Sequence, residues 1–273
     1  MKKKNKVLRG CVYTFSGIAL LMVALILVYI LAKGVVNLKP SLFSWHYNSE
    51  NVSLLPSLLN TILMMFFALF FSIPIALGSA IYTCEYAKKE SKFVPIVRLA
   101  SETLAGIPSI VYGLFGLLAF VTKLKLGLSL LSGALTLAIM VLPSIFRTGE
   151  EAILSVPLSY REASYALGAG KLVTIVKAVL PSAVPGILSG VILAIGRIIG
   201  ETAALLYTAG TVPELATSLL DSSRTLAVHM YVLSSEGLYF DQAFGTGFVL
   251  CLIVLIVNTL SFKLAKKVGV KNG

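Results

Sequence analysis

Charge is scarce in this sequence. Of 273 residues, 13% are Asp, Glu, Lys or Arg and 57% are hydrophobic. Soluble domains carry about a quarter charged residues, so no sizeable soluble domain fits beside the apolar runs. Histidine occurs only as His46 and His229, and cysteine only as Cys11, Cys84 and Cys251. No HExxH motif and no Cys/His ligand spacing is present, which excludes a metal site of those kinds and leaves a disulfide framework without basis. A hydrolase would lack a plausible pairing of nucleophile and base. The stretch Gly168-Ala169-Gly170-Lys171 fails as a phosphate-binding loop, because Tyr165 stands where its first glycine is needed and Leu172 replaces the Ser or Thr that holds magnesium.

What is present is a series of long apolar runs, at about 10–32, 57–82, 99–121, 126–146, 183–207 and 243–262. Each is long enough to cross a bilayer. The basic leader 1–9 with the run after it resembles a signal peptide, but the run exceeds the usual length and lacks a small-residue exit, so it reads as a retained first span. Residues 10–273 then form one membrane domain with a cytoplasmic loop at 147–182 and an outer loop at 210–242. The net charge of +11 does not point to nucleic acid. The basic residues flank the spans, where they set topology and meet anionic lipid. With the N-terminus inside, seventeen Lys and Arg fall on the cytoplasmic side and five outside, with Arg197 in the membrane. The outer loop, with Leu219, Leu220, Leu226 and Val228, is expected to be packed and to receive an extracellular partner.

Proline and glycine recur within the runs, at Pro74, at Gly106 and Pro108, and at Pro143. Broken backbone at membrane depth is tolerated where it is buried in protein or faces water, so these are either ordinary kinks or marks of a path. Gly186 and Gly190, and Gly196 and Gly200, offer small faces for a neighbouring helix.

The stretch 157–207 organises the rest. Up to Pro181 it carries Arg161, Glu162, Lys171 and Lys177, too many charges for a bilayer. The Ser159 to Glu162 spacing predicts a capped helix start, and Gly168 a left-handed stop. A second helical run over 171–180 is predicted to end before Pro181, giving a helix-turn-helix plug. From 183 to 207 the chain can span, yet it contains Arg197 and Glu201, each costing about 3 kcal/mol or more at that depth unless paired or wet. One turn apart on one helix, they read either as an intrahelical ion pair or as a site where Arg197 offers a fork of donors to a passing oxyanion. Arg147, beside Glu150 and Glu151, is either a flanking charge or a second charge on that path.

Glu162-Ala163-Ser164, Gly168 and Leu180-Pro181 resemble the E-A-A-x3-G-x9-I-x-L-P signature of permease subunits of binding-protein-dependent ABC importers. Ser164 replaces its third residue and Ala178 its isoleucine. The segment from Gly196 through Ala203, GRIIGETA, with Leu205-Leu206 and Thr208-Ala209, is similar to the phosphate importer permeases of the PstA type. The resemblance implies an all-α membrane protein with six transmembrane helices in the MetI-like permease fold and both termini in the cytoplasm. It implies a sister permease in a heterodimer, a dimer of ATP-binding subunits and an extracytoplasmic phosphate-binding protein. It implies no cofactor in this chain, with ATP and magnesium on the partner ATPase. Arg161, Glu162, Ala163, Ser164, Leu167 and Gly168 would form the coupling helix seated on the ATPase, and Arg197, Glu201 and Arg147 would lie on the substrate path. Phosphate near neutral pH carries protons and sulfate does not, so a carboxylate beside the arginine penalises sulfate more. Rival readings are a permease for sulfate, molybdate or a phosphonate, and a membrane sensor without transport.

Overall fold

The computed structural model describes residues 2–88, 90–237 and 239–271. Met1, Lys89, Leu238, Asn272 and Gly273 lie outside them, Lys89 being one of the basic residues counted toward topology. Among the described residues the regular elements are all helices. Five are long and apolar enough to cross a membrane, at Arg9–Val36, Leu55–Tyr86, Leu130–Leu154, Lys171–Gly200 and Phe240–Leu260. A bent pair, Phe93–Ala105 with Ser109–Lys123, makes a sixth when its limbs are taken as one span. The six-span, all-helical class expected from the sequence is the architecture found.

At the centre lies α5 (Leu130–Leu154), whose start is fixed by Ser129, the side chain of which accepts from the Ser132 N–H at 3.2 Å. Small residues along α5 let α2 (Leu55–Ile81) and α8 (Leu180–Gly200) approach closely. Gly133 abuts Met64 and Gly149 abuts Leu77 of α2. From α8, Gly186 sits on Ala152, where a Cβ would fall 2.6 Å from the alanine methyl, and Gly190 sits on Thr148. The small face expected at 186–190 is therefore used. Beside Gly196 and Gly200 there is open space. Outermost, α1 (Lys2–Val36) packs along α11 (Phe240–Lys271), with Gly34 against Phe248 and Tyr29 edge-on to Phe244 at 5.7 Å. Its most apolar stretch is not buried by the chain itself, which suits a lipid-facing helix.

Three helix boundaries differ from the sequence expectation. The run at 99–121 is not one straight span: α3 (Phe93–Ala105) and α4 (Ser109–Gly116) meet at 102°, and a π-helical turn at Leu117–Lys123 extends α4. Pro108 is extended (φ −60, ψ 142), lacks a donor and disfavours helix in Ile107. The run at 183–207 ends early, at Gly200, and a separate short helix α9 (Ala203–Thr208) follows. The helix expected to stop before Pro181 continues through it. From α7 (Lys171–Thr174) the chain passes through a π-helical turn at Ile175–Val179 into α8, where Pro181 sits in the first turn. A proline there cannot donate to the residue four back, and the wider turn just upstream accommodates that.

Loop 210–242 is packed, as expected, and holds α10 (Leu226–Glu236), whose Leu226, Ala227, Val228 and Leu233 are buried; Leu219 and Leu220 stay exposed. Asn60 of α2 ties the loop down, donating to the Glu214 carbonyl at 2.9 Å and accepting from the Ala216 N–H at 3.0 Å. Thr61 accepts from the Leu226 N–H at 2.8 Å.

Candidate functional site

Arg197 lies in the last turn of α8 and Glu201 just beyond its end, in extended backbone (φ −73, ψ 129). They are not one turn apart on a continuous helix, and among the described ion pairs neither takes part. The intrahelical pair is thus not formed. The buried Glu201 carboxylate instead accepts from the Ala204 N–H at 3.0 Å, capping α9. The break after Gly200 is what allows this, because a helical Glu201 could not reach forward to the next helix's first turn.

A second break meets the first. Where α3 turns into α4, the Tyr112 hydroxyl donates to the Leu104 carbonyl at 2.7 Å and latches the bend. Gly113, next in sequence, packs on α9 so closely that a Cβ would lie 2.9 Å from the Ala204 Cα. One turn on, Gly116 faces Thr136 of α5 and Thr208 of α9. Two interrupted helices are therefore seated on each other, with Arg197, half-buried and in none of the ion pairs among the described residues, in the last turn before the break after Gly200. Interrupted helices backed by protein are the setting in which irregular backbone can line a cavity.

Arg147 is elsewhere in its bonding: on α5 its Nε donates to Glu151 at 3.1 Å in an exposed pair, and the structure does not join it to Arg197 or Glu201. Its neighbour Glu150 turns the other way and receives Arg98 of α3 in a fork, Nε at 3.1 Å to both oxygens and Nη2 at 3.0 Å.

The loop at 147–182 forms α6 (Leu158–Ala166), which starts at Pro157 without the side-chain cap expected from Ser159 and Glu162. Gly168 does hold the left-handed conformation, with φ +78. Glu162, Ala163 and Leu167 face outward, Leu167 being 89% exposed, and Leu158, Tyr160, Tyr165 and Leu172 extend that apolar surface. Arg161 points the other way. Its guanidinium takes Glu85, in the π-helical turn Tyr82–Tyr86 that follows α2, at 2.7 and 3.0 Å, and the carbonyls of Val156 and Ile153 at 2.9 and 3.0 Å. Ser164 bonds Thr174 at 2.8 Å, fastening α6 to the foot of the α7–α8 rod. Of the six residues expected to meet an ATPase, Arg161 and Ser164 hold the helix in place from behind. Sequence reasoning missed Glu85, Arg98 and Tyr112. Glu85 lies 76 residues from its partner, and no local pattern marks it; Tyr112 lies four residues after Pro108, whose break was the available signal.

A family model described as binding-protein-dependent transport system inner membrane component matches residues 72–269. The chain is 39% identical over 224 residues to the probable ABC transporter permease protein YqgI of Bacillus subtilis, covering 77% of this chain and 75% of that one. It is 30% identical over 265 residues to phosphate transport system permease protein PstA 1 of Mycobacterium tuberculosis, covering 93% and 86% respectively. Among solved structures, the inward-facing MetNI methionine ABC transporter superposes with a TM-score of 0.63 at 19% identity, over 79% of this chain and 95% of the other. That likeness is one of fold.

Proposed function

Because this chain belongs to the family of binding-protein-dependent transport system inner membrane components, we propose that it is the PstA-type permease subunit that carries inorganic phosphate inward through the cytoplasmic membrane. The relatives named as phosphate permeases support the substrate. Members of this family are transport subunits rather than enzymes and work with an ATPase and a substrate-binding protein. For this chain the partners are a sister permease that completes the path, a pair of ATPase subunits holding ATP and magnesium, and a phosphate-binding protein outside.

The observation that carries the reading is a single rod. The helical run Lys171–Gly200 starts beside α6, to which Thr174 is bonded, and ends with Arg197 at the seam of two broken helices. At 1.5 Å per residue the rod from Thr174 to Arg197 is roughly 35 Å long. Displacement of α6 by a nucleotide-driven partner reaches the arginine along that rod, and reaches α2 and α5 through Arg161. Arg197 supplies a fixed charge and donor fork to the oxyanion. Glu201 holds α9 in place and sets a negative charge near that arginine, which disfavours a fully ionised sulfate more than a protonated phosphate. Arg147 flanks the cytoplasmic end of α5 and is kept as a second charge along the route. The positive-inside count places both termini and α6 in the cytoplasm.

ATP-dependent uptake of labelled phosphate into vesicles containing the whole complex, with sulfate as competitor, tests this. Phosphate uptake that resists sulfate and collapses in Arg197→Ala is the expected result. Sulfate uptake in its place would move the chain to another oxyanion, and normal flux with a disabled α6 would make it a sensor.

A further inference from the structure

The outer end of the chain holds a second polar cluster that this path does not use. Arg224 precedes α10 and His229 lies in its first turns; they are 3% and 0% exposed. Nε and Nη2 of Arg224 and both ring nitrogens of His229 are buried without a hydrogen-bond partner, as are the hydroxyls of Ser223, next in the chain, and Ser57, one turn before Thr61 on α2. Tyr47 joins the two: its ring lies 4.8 Å from the guanidinium carbon and meets the imidazole edge-on, with centroids 6.2 Å apart. No acidic side chain is bonded to Arg224 among the described ion pairs.

A buried guanidinium left without a counter-charge is strongly destabilising. The Tyr47 ring offsets part of that but uses the guanidinium's face, leaving its edge free. Nε and Nη2 are the edge that grips two oxygens of one oxyanion. Burial, and then the charge of Arg224, push the His229 pKa down to about 3. The Val52 backbone lies against the ring without a bond of adequate geometry. A neutral imidazole offers one donor and one acceptor. The acceptor suits a ligand that still carries a proton.

We propose that Arg224, His229 and Tyr47 form a binding site for inorganic phosphate beneath the outer loop at 44–54. The choice of ligand rests on the phosphate-import reading. The cover is that loop, with Tyr47 packed against the cluster of Val52, Leu233 and Ala243. The site is a waiting station on the outer side, separate from Arg197.

The test is binding of radiolabelled inorganic phosphate to the complex in lipid nanodiscs without the binding protein, comparing wild type with Arg224→Lys and His229→Asn. Saturable, sulfate-resistant binding is expected, weakened at least about tenfold by Arg224→Lys, which keeps charge but loses the fork. His229→Asn, which keeps the neutral polar character, is expected to weaken phosphate and admit sulfate; it decides the matter if Arg224→Lys fails to assemble. Absent binding in wild type or equal binding by the folded variants overturns the proposal. Uptake by the full complex without binding here would refute this site and leave the import reading standing; binding here without uptake would do the reverse.

Discussion

Arg161 on the cytoplasmic helix donates twice to one carboxylate oxygen of Glu85, through Nη2 at 2.7 Å and Nε at 3.0 Å. Both side chains are largely buried. Removing one partner of such a pair costs about 3–5 kcal/mol, because the other is left charged and unsolvated. Arg161→Ala should therefore lower the melting temperature of the complex and let ATP be hydrolysed without uptake. The ratio of phosphate imported to ATP consumed is the readout, and an unchanged ratio in an assembled complex would show that α6 is not held through Glu85.

Leu167 makes the opposite case. At 89% exposure it contributes almost nothing to the stability of the chain alone, so Leu167→Asp should leave the unfolding of the isolated subunit within about 0.5 kcal/mol of wild type. Association with the ATPase, measured by co-purification, should fall sharply. Retained association would remove α6 as the docking surface.

At the seam, Glu201→Gln keeps an acceptor for the Ala204 N–H and removes the charge, while Glu201→Ala removes both. The first should leave assembly intact and make phosphate uptake more sensitive to sulfate. The second should cost in addition about 0.5–2 kcal/mol for the lost cap. Equal sulfate sensitivity in wild type and Glu201→Gln would reduce Glu201 to a cap.

Gly113 has backbone on its far side, the Cα of Ala204. Gly113→Val should separate α4 from α9 at a cost of about 1–3 kcal/mol and abolish transport with ATPase binding preserved. Tyr112→Phe, which loses only the bond to Leu104, should cost about 1 kcal/mol and slow uptake without stopping it. Normal uptake in Gly113→Val would mean that the two broken helices need not touch.

His229 predicts an acid limb in stability. Its pKa is held at about 3 in the fold and returns to about 6.5 on unfolding, so the unfolded chain binds the extra proton between those values. This contribution is complete above about pH 6.5 and is lost progressively as pH falls toward 3. Melting curves of the complex at pH 7 and pH 5 should show a smaller drop for His229→Asn than for wild type; equal drops would place the acid sensitivity elsewhere.

Spans and plug are legible in the sequence because length, apolarity and span-end charge act locally. Pro108 marks its break for the same reason. The break at Glu201 is harder to see: a carboxylate four residues after an arginine reads as a helical pair, and only tertiary contact with α4 shows that the helix ends and the side chain caps the next one. Arg161 reads as a surface charge because its amphipathic helix is short and its partners are distant or lie past helix ends: the Ile153 carbonyl in the last turn of α5, the Val156 carbonyl just beyond it, and the Glu85 carboxylate in the π-helical turn after α2. Pro181 reads as a stop, since nothing local shows that a wider turn upstream will carry the helix through.

That wider turn sets an angular relationship. A helix advances about 100° per residue, so the bearing of Arg197 about the rod's axis is counted from Thr174, and the π-helical turn at Ile175–Val179 enters the count. It offsets everything beyond it by a fraction of a turn. The cytoplasmic fastening and the membrane charge are thus mounted on one shaft in fixed phase, so that twisting the foot of the shaft turns the guanidinium toward or away from the seam without any change in its depth.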